Sequence, residues 1–371
     1  MPGNLLRDAV VDPCSTTLRV IFALAVLAPV AAAQAKDATA VERRARSLVN
    51  QVELPERRVA AIDELLSLGA DAVPALAARL SDPRPEVVQV VCAVLCKLGP
   101  LAEAALPQLV IAQGSPDAAV AHMARLTEMN IRPSGKTLVA EFERGKVVEI
   151  AADGTQREVL GTAMPWDVDP LPGGHLLVTL YIANRVVEYD EKGNEVWSFA
   201  DLKMPLEADR LLDGRTLIAD TYGQRVIEVG ARGDVVWEWK AEQQQGQPYD
   251  VERLANGRTL VALFPSLVLE VDRAGEVVWQ LDSPGGVFDA DRLPNGNTLL
   301  TLFNAGSVRE VDSKGTVVWE AKGLAGPNDA DRLPSGNTLV TTSDGFVELA
   351  PDGSIVAQSK GRKRVSKIVR R

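Results

Sequence analysis

The sequence predicts a multidomain α plus all-β protein, a short helical-repeat region followed by a six-bladed β-propeller. Three observations carry this. First, the phrase "DADRLPNGNTLL" at Asp289–Leu300 returns as "DADRLPSGNTLV" at Asp329–Val340. Its turn glycine has counterparts throughout the C-terminal two thirds: Gly135, Gly174, Gly214, Gly257, Gly296 and Gly336, spaced by 39, 40, 43, 39 and 40 residues. Second, another phrase runs in the same register, as "VVEYDEKGNEVW", "VIEVGARGDVVW", "VLEVDRAGEVVW" and "VREVDSKGTVVW". Third, the apolar period ahead of these repeats is helical, with apolar residues at i, i+3, i+4 and i+7 between Val41 and Glu128.

The chain opens on an expected export signal over residues 1–35. Arg7 and Arg19 precede the apolar run Val20–Ala33, and "AAAQAK" follows with small residues suited to cleavage between Ala31 and Lys36. The run is short and alanine-rich for a membrane span, so no span is expected once the signal is removed, the alternative being an uncleaved anchor. Cys14 lies upstream of the run and is not placed for lipid attachment.

Residues 36–128 read as stacked helices. Leu68-Gly69 and Leu98-Gly99 recur thirty residues apart, and Pro74 and Pro107 sit in matching "AVPAL" and "ALPQL" starts. Glycine ends one helix and proline sits in the first turn of the next. Cys92 and Cys96 lie four apart on one helix among valines and leucines. A disulfide across one turn has poor geometry, so they are read as core fillers.

Residues 129–371 hold the propeller. Each repeat parses into four strands; in the fifth they are expected near Phe288–Leu293, Thr298–Phe303, Val308–Val311 and Thr316–Glu320. A single four-stranded sheet cannot bury both faces, but six arranged radially can, and four strands in about 40 residues is the blade signature. Trp197, Trp237, Trp279 and Trp319 stand four residues past the last turn glycine of units two to five, where inter-blade packing is expected. Units one and six carry Glu158 and Ala357 there instead, which places the seam of the ring between them. The tail "KGRKRVSKIVRR" (Lys360–Arg371) stands where another innermost strand would begin, and is expected to fold back beside unit one. The competing strand for that place is Thr127–Pro133.

With these residues in view, "RLPNGNTL" and "VREVDSKGTVVWE" resemble the repeat of arylsulfotransferase-like and, more distantly, PQQ-like quinoprotein propellers. The helical region resembles HEAT-type repeats. The first resemblance implies the propeller fold and admits an enzyme. Arylsulfotransferases use channel-facing histidines, whereas here the innermost strands carry none. The adjacent cysteines of several quinoprotein dehydrogenases are also absent. No catalytic residue is therefore carried over.

The chain has two histidines, His122 in the last helix and His175 in the turn of unit two. They do not amount to a His-rich metal site or a nucleophile–base pair. What each innermost strand does carry is a pair of acids. They are Asp167 and Asp169, Glu207 and Asp209, Asp250 and Glu252, Asp289 and Asp291, and Asp329 and Asp331. Arg210, Arg253, Arg292 and Arg332 follow in units three to six. Two readings stand. The acids and arginines could form a girdle of Asp–Arg pairs linking blades near the axis. Alternatively the acids form a rim that draws cations or basic partners. No cofactor is expected, Ca²⁺ being the one ion the rim could hold. With a net charge of −10, a nucleic-acid partner is not expected. The expected function is that of an exported (periplasmic or extracellular), non-enzymatic binding or scaffold protein engaging a protein partner. The alternative is an arylsulfotransferase-like or quinoprotein-like enzyme.

Overall fold

The computed structural model describes residues 39–132, 134–242 and 244–370. The expected export signal at 1–35, with its apolar run and Cys14, lies outside them. Six helices come first: α1 (39–51), α2 (Pro55–Leu68), α3 (Val73–Ala77), α4 (Pro85–Leu98), α5 (Leu106–Ala112) and α6 (Ala118–Ile131). The thirty-residue echo is visible in their geometry. α2 and α4 are both 14 residues long, start on proline and stop at Gly69 and Gly99, whose φ values are +59° and +55°. A β-carbon would strain that left-handed backbone, so glycine marks the stop. Proline then sits in the first turn of α3 and α5. Apolar faces from all six helices meet in one core that includes Leu48, Ile62, Leu65, Leu95 and Leu109. Cys92 is buried in it, as a core filler should be, and Cys92 and Cys96 form no disulfide among the described residues.

The chain then forms six four-stranded antiparallel sheets. Blade 5 is typical, with strands Val287–Arg292, Thr298–Leu302, Ser307–Val311 and Val317–Lys322 in order from the axis outward. These fall within two residues of the expected spans. The second strands are buried along nearly their whole length, as in Thr298–Leu302, because both faces meet neighbouring blades. The turn glycines adopt left-handed backbone, with Gly296 at φ +85°, and the Gly296 amide donates to the Leu293 carbonyl at 2.9 Å. Asparagine beside glycine suits such a turn.

The ring closes through the C-terminus. Val365–Arg370 is the innermost strand of blade 1, antiparallel to Thr137–Glu141, so the first sheet is built from both ends of the domain. The competing segment cannot serve, because Thr127–Ile131 is the last turn of α6. Closure leaves no unpaired innermost edge at the seam.

The helical region covers one end of the ring, the end carrying the turns between first and second strands. Leu212 and Ala255 from two of those turns pack against the helical core. Asn256 Nδ2 donates to Asp63 Oδ1 at 2.9 Å. Lys97, in the last turn of α4, reaches up to form an ion pair with Glu252 of the blade 4 inner strand. The opposite end of the central channel is open.

Candidate functional site

The inner strands stack three layers around the axis, and period-two alternation decides what each layer does. The first acids, Asp167, Glu207, Asp250, Asp289 and Asp329, form a ring with Lys367 of the closing strand in the sixth place, and each of the five acids is more than nine-tenths buried. The second layer holds Asp169, Asp209, Glu252, Asp291 and Asp331 on the helical side, where Val369 takes the sixth place. The third holds Arg210, Arg253, Arg292, Arg332 and Arg370, with Pro170 in blade 2.

The expected Asp–Arg girdle needs correction in its partners. Acids two apart share one face of a strand, and the arginine next to the second acid points to the other. The arginines turn toward the preceding blade. Arg210 Nη2 lies 2.7 Å from Glu188, Arg292 Nη2 2.6 Å from Glu270 and Arg332 Nη2 2.9 Å from Glu310. Arg253 and Arg370 pair in the same way with Glu228 and Glu348. Arg210, Arg253, Arg292 and Arg332 also lie over Trp197, Trp237, Trp279 and Trp319, 4.7–5.2 Å from the ring centroids. Each of these indole N–H groups donates to a carbonyl in the outer turn of the next blade, 2.8–3.1 Å away. Glutamate, tryptophan and arginine are therefore an inter-blade clamp. The glutamates repeat in the third-strand phrase and were available as a signal.

The acids make a different inter-blade link. Amides of the next blade donate to them: Ala208 to Asp167 (3.2 Å), Arg210 to Asp169 (3.3 Å), Ala290 to Asp250 (3.1 Å), Arg292 to Glu252 (2.8 Å), Ala330 to Asp289 (3.0 Å) and Ile368 to Asp329 (3.1 Å). Those bonds favour the charged form, but burial and mutual repulsion oppose it. Burial, with neighbouring acids adding to it, pushes Asp167 up to about 7, Asp250 up to about 8 and Asp291 up to about 6. Glu207, Asp209 and Asp289 are also raised well above the usual carboxylate range, for the same reasons. Lys367 Nζ answers part of this charge, at 3.0 Å from Glu207, 3.1 Å from Asp329 and 3.9 Å from Asp167. Burial draws the Lys367 ammonium down, yet these acids hold it well above its ordinary value. Among the described residues, no group of three His, Cys, Asp or Glu side chains is arranged to hold a metal ion.

Above the Lys367 ring the open mouth is aromatic, a feature the sequence reasoning missed. A cavity of about 310 Å³ is lined by Phe142, Trp166, Tyr181, Tyr222, Tyr249 and Phe288, together with aliphatic side chains and Arg364. The rings form two arcs. On blades 1 and 2, Phe142, Trp166 and Tyr181 have centroids 5.2–6.0 Å apart. On blades 4 and 5, Tyr249 stacks on Phe264 at 4.8 Å and Phe288 on Phe303 at 4.6 Å, with Tyr249 and Phe288 edge-to-face at 4.9 Å. The signal was the residue just before each first acid, which reads Trp166, Leu206, Tyr249 and Phe288 in blades 2 to 5. Met164 and Arg364 on the rim hold left-handed φ values of +49° and +47°, a strained conformation for such side chains. His175 lies at the other end of the ring, its Nδ1 2.7 Å from Glu188, and His122 sits on α6, so neither histidine lines the mouth.

Radial sheets of this repeat define a six-bladed propeller of the PQQ-like class. The chain belongs to the family described as outer membrane protein assembly factor BamB, whose pattern matches residues 182–369. Among solved structures, a Bacteroides caccae protein of unknown function is similar at 20% identity and a TM-score of 0.53, covering 64% of this chain and 98% of that one. A virginiamycin B lyase from Staphylococcus aureus is similar at 12% identity and a TM-score of 0.49, over 62% of this chain and 82% of that one. At these identities the likeness is one of fold. No curated protein matches the sequence.

Proposed function

We propose that the chain is an exported, non-enzymatic binding protein with two interaction platforms, the open propeller mouth and a HEAT-like helical stack. The observation that carries this is the aromatic cavity of about 310 Å³ at one end of a channel whose other end the helices cover. A concave site rich in apolar rings with a few polar groups is the usual form of a binding site. Exposed Met164, Ile182 and Tyr222 on its rim give a partner apolar surface to cover. The thirty-residue echo of α2 and α4 supports the HEAT-like reading of the helical region. Export is supported by the Arg19-flanked apolar run and by a family description that speaks of assembly at the outer membrane. The arylsulfotransferase-like alternative would need histidines at the mouth, and neither histidine stands there.

The test is a photo-crosslinking amino acid placed at Tyr222, in the full chain expressed in its native host. A discrete adduct, absent when the crosslinker stands at Val317 on the outer strand of blade 5, supports the reading. Equal labelling at both positions, or none at Tyr222, contradicts it.

A further inference from the structure

The mouth has a floor as well as walls. Beneath the aromatic cavity lies a second space of about 20 Å³, lined by Trp166, Tyr249, Phe288 and Asn328, by four acids of the first ring (Glu207, Asp250, Asp289 and Asp329) and by Lys367. That is room for one small polar group the size of a water or an ammonium. One acceptor atom lining this space, Asn328 Oδ1, is buried without a hydrogen-bond partner. Asn328 is 6% exposed, and its amide nitrogen is already committed to the Val365 carbonyl at 3.2 Å, so the orphaned oxygen calls for a donor. On the other side Asp250 and Asp289 meet amide or hydroxyl donors. The short ion pairs of Lys367 run to Glu207 and Asp329. Five acids thus share one cation in this layer. The wall above favours cations too: the chain already seats one of its own there, with Arg364 5.3 Å from the Phe142 centroid and 5.1 Å from that of Trp166.

We propose that the propeller mouth binds an organic ammonium ligand with an apolar body. The apolar part lies between the Trp166 and Tyr249–Phe288 arcs, and the ammonium donates into the floor toward Asn328 Oδ1, Asp250 and Asp289. A lysine side chain of a partner or a free arylalkylamine presents the same chemistry. This rests on the reading of the mouth as a binding seat. Burial of an ammonium among ring faces and carboxylates is favourable because the acids are already dehydrated by the fold. The ion pairs of Lys367 reach acids of blades 2, 3 and 6, and Asp250 and Asp289 of blades 4 and 5 lie outside them.

The test is calorimetric titration of the full chain at pH 8 with phenethylamine, its neutral counterpart 2-phenylethanol, and CaCl₂. Phenethylamine is expected to bind roughly tenfold or more tightly than the alcohol, the worth of one charge-assisted hydrogen bond. Asp250→Asn and Asp289→Asn should each bring the amine down toward the alcohol. Both variants keep an oxygen for the amide of the next blade, and an unchanged melting temperature or a raised one shows that they fold. If amine and alcohol bind equally and the variants change nothing, the ammonium inference fails and a purely apolar seat remains. If CaCl₂ saturates the site and the amine does not, the floor is a metal site and the inference fails. If no probe binds while the Tyr222 crosslinker captures a partner, the inference fails and the seat stands. Failure of both experiments removes both.

Discussion

Replacing Lys367 by methionine removes the cation from the most acidic layer of the channel. Its Nζ has three carboxylates within 4 Å, two of them at 3.0 and 3.1 Å, and the side chain is 17% exposed. Removing one partner of a buried ion pair typically costs about 3–5 kcal/mol. For a domain of this size that is a fall in melting temperature on the order of 10 °C at pH 8. The pH dependence is the sharper signature. Asp167 and Asp250 are raised to about 7 and about 8, so the folded chain holds protons that the unfolded chain releases. Stability of the parent should therefore rise as pH falls from 8 toward 4 across these groups. Lys367, raised above its ordinary value, stays charged over that whole range. In the methionine variant the acids lose their counter-charge and rise further, so its deficit should shrink as they take up protons. Urea denaturation of both proteins at pH 8 and pH 5 measures this. A deficit that is equal at the two pH values, or absent at both, would refute the electrostatic account of the ring.

Three further outcomes are expected. Deleting Arg364–Arg371 removes the innermost strand of blade 1 and should lower the melting temperature and produce aggregates in size-exclusion chromatography, since two sheet edges are exposed. Arg292→Met breaks the contacts to Glu270 and Trp279 and should cost about 2–4 kcal/mol by urea denaturation, with Trp279→Phe costing about 1 kcal/mol for the lost bond to the Ser313 carbonyl. Sulfate transfer from a phenolic sulfate donor to a phenol should be undetectable with purified protein; robust turnover that His175→Ala abolishes would restore the enzymatic alternative.

Much of the fold was legible because blade structure is local. The turn glycines, the alternating strands and the outer tryptophans each specify structure within a few residues, and the ring follows from their repetition. Ring closure was legible through register, since the strand position after Gly336 falls at the end of the chain. The arginine partners were not legible from sequence proximity, because strand parity sends chain neighbours to opposite blades. Asp291 and Arg292 are adjacent in the chain and face opposite blades, and the true partner, Glu270, is supplied by a repeat one blade earlier. The aromatic mouth was harder to read for a different reason, although the residue before each first acid hints at it. Its rings come one or two per blade from strand ends and loops, such as Trp166, Tyr222 and Phe288, and each alone reads as an ordinary packing residue. Closure of the ring is what brings them together. A charge match between the basic tail and the acidic rim was legible too: once the strand pairs beside blade 1, Lys367 meets Glu207 and Asp329, while Arg370 turns to Glu348 instead.

The open mouth, as proposed, is a ligand seat whose floor selects a positive charge. The most direct measurement is a crystal structure of the full chain grown with phenethylamine at pH 8. The aromatic ring of the amine is expected between Trp166 and the Tyr249–Phe288 pair. Its nitrogen should lie within hydrogen-bond distance of Asn328 Oδ1 or of the Asp250 and Asp289 carboxylates. A mouth that stays empty while the amine occupies the outer strands or the helical region would contradict it.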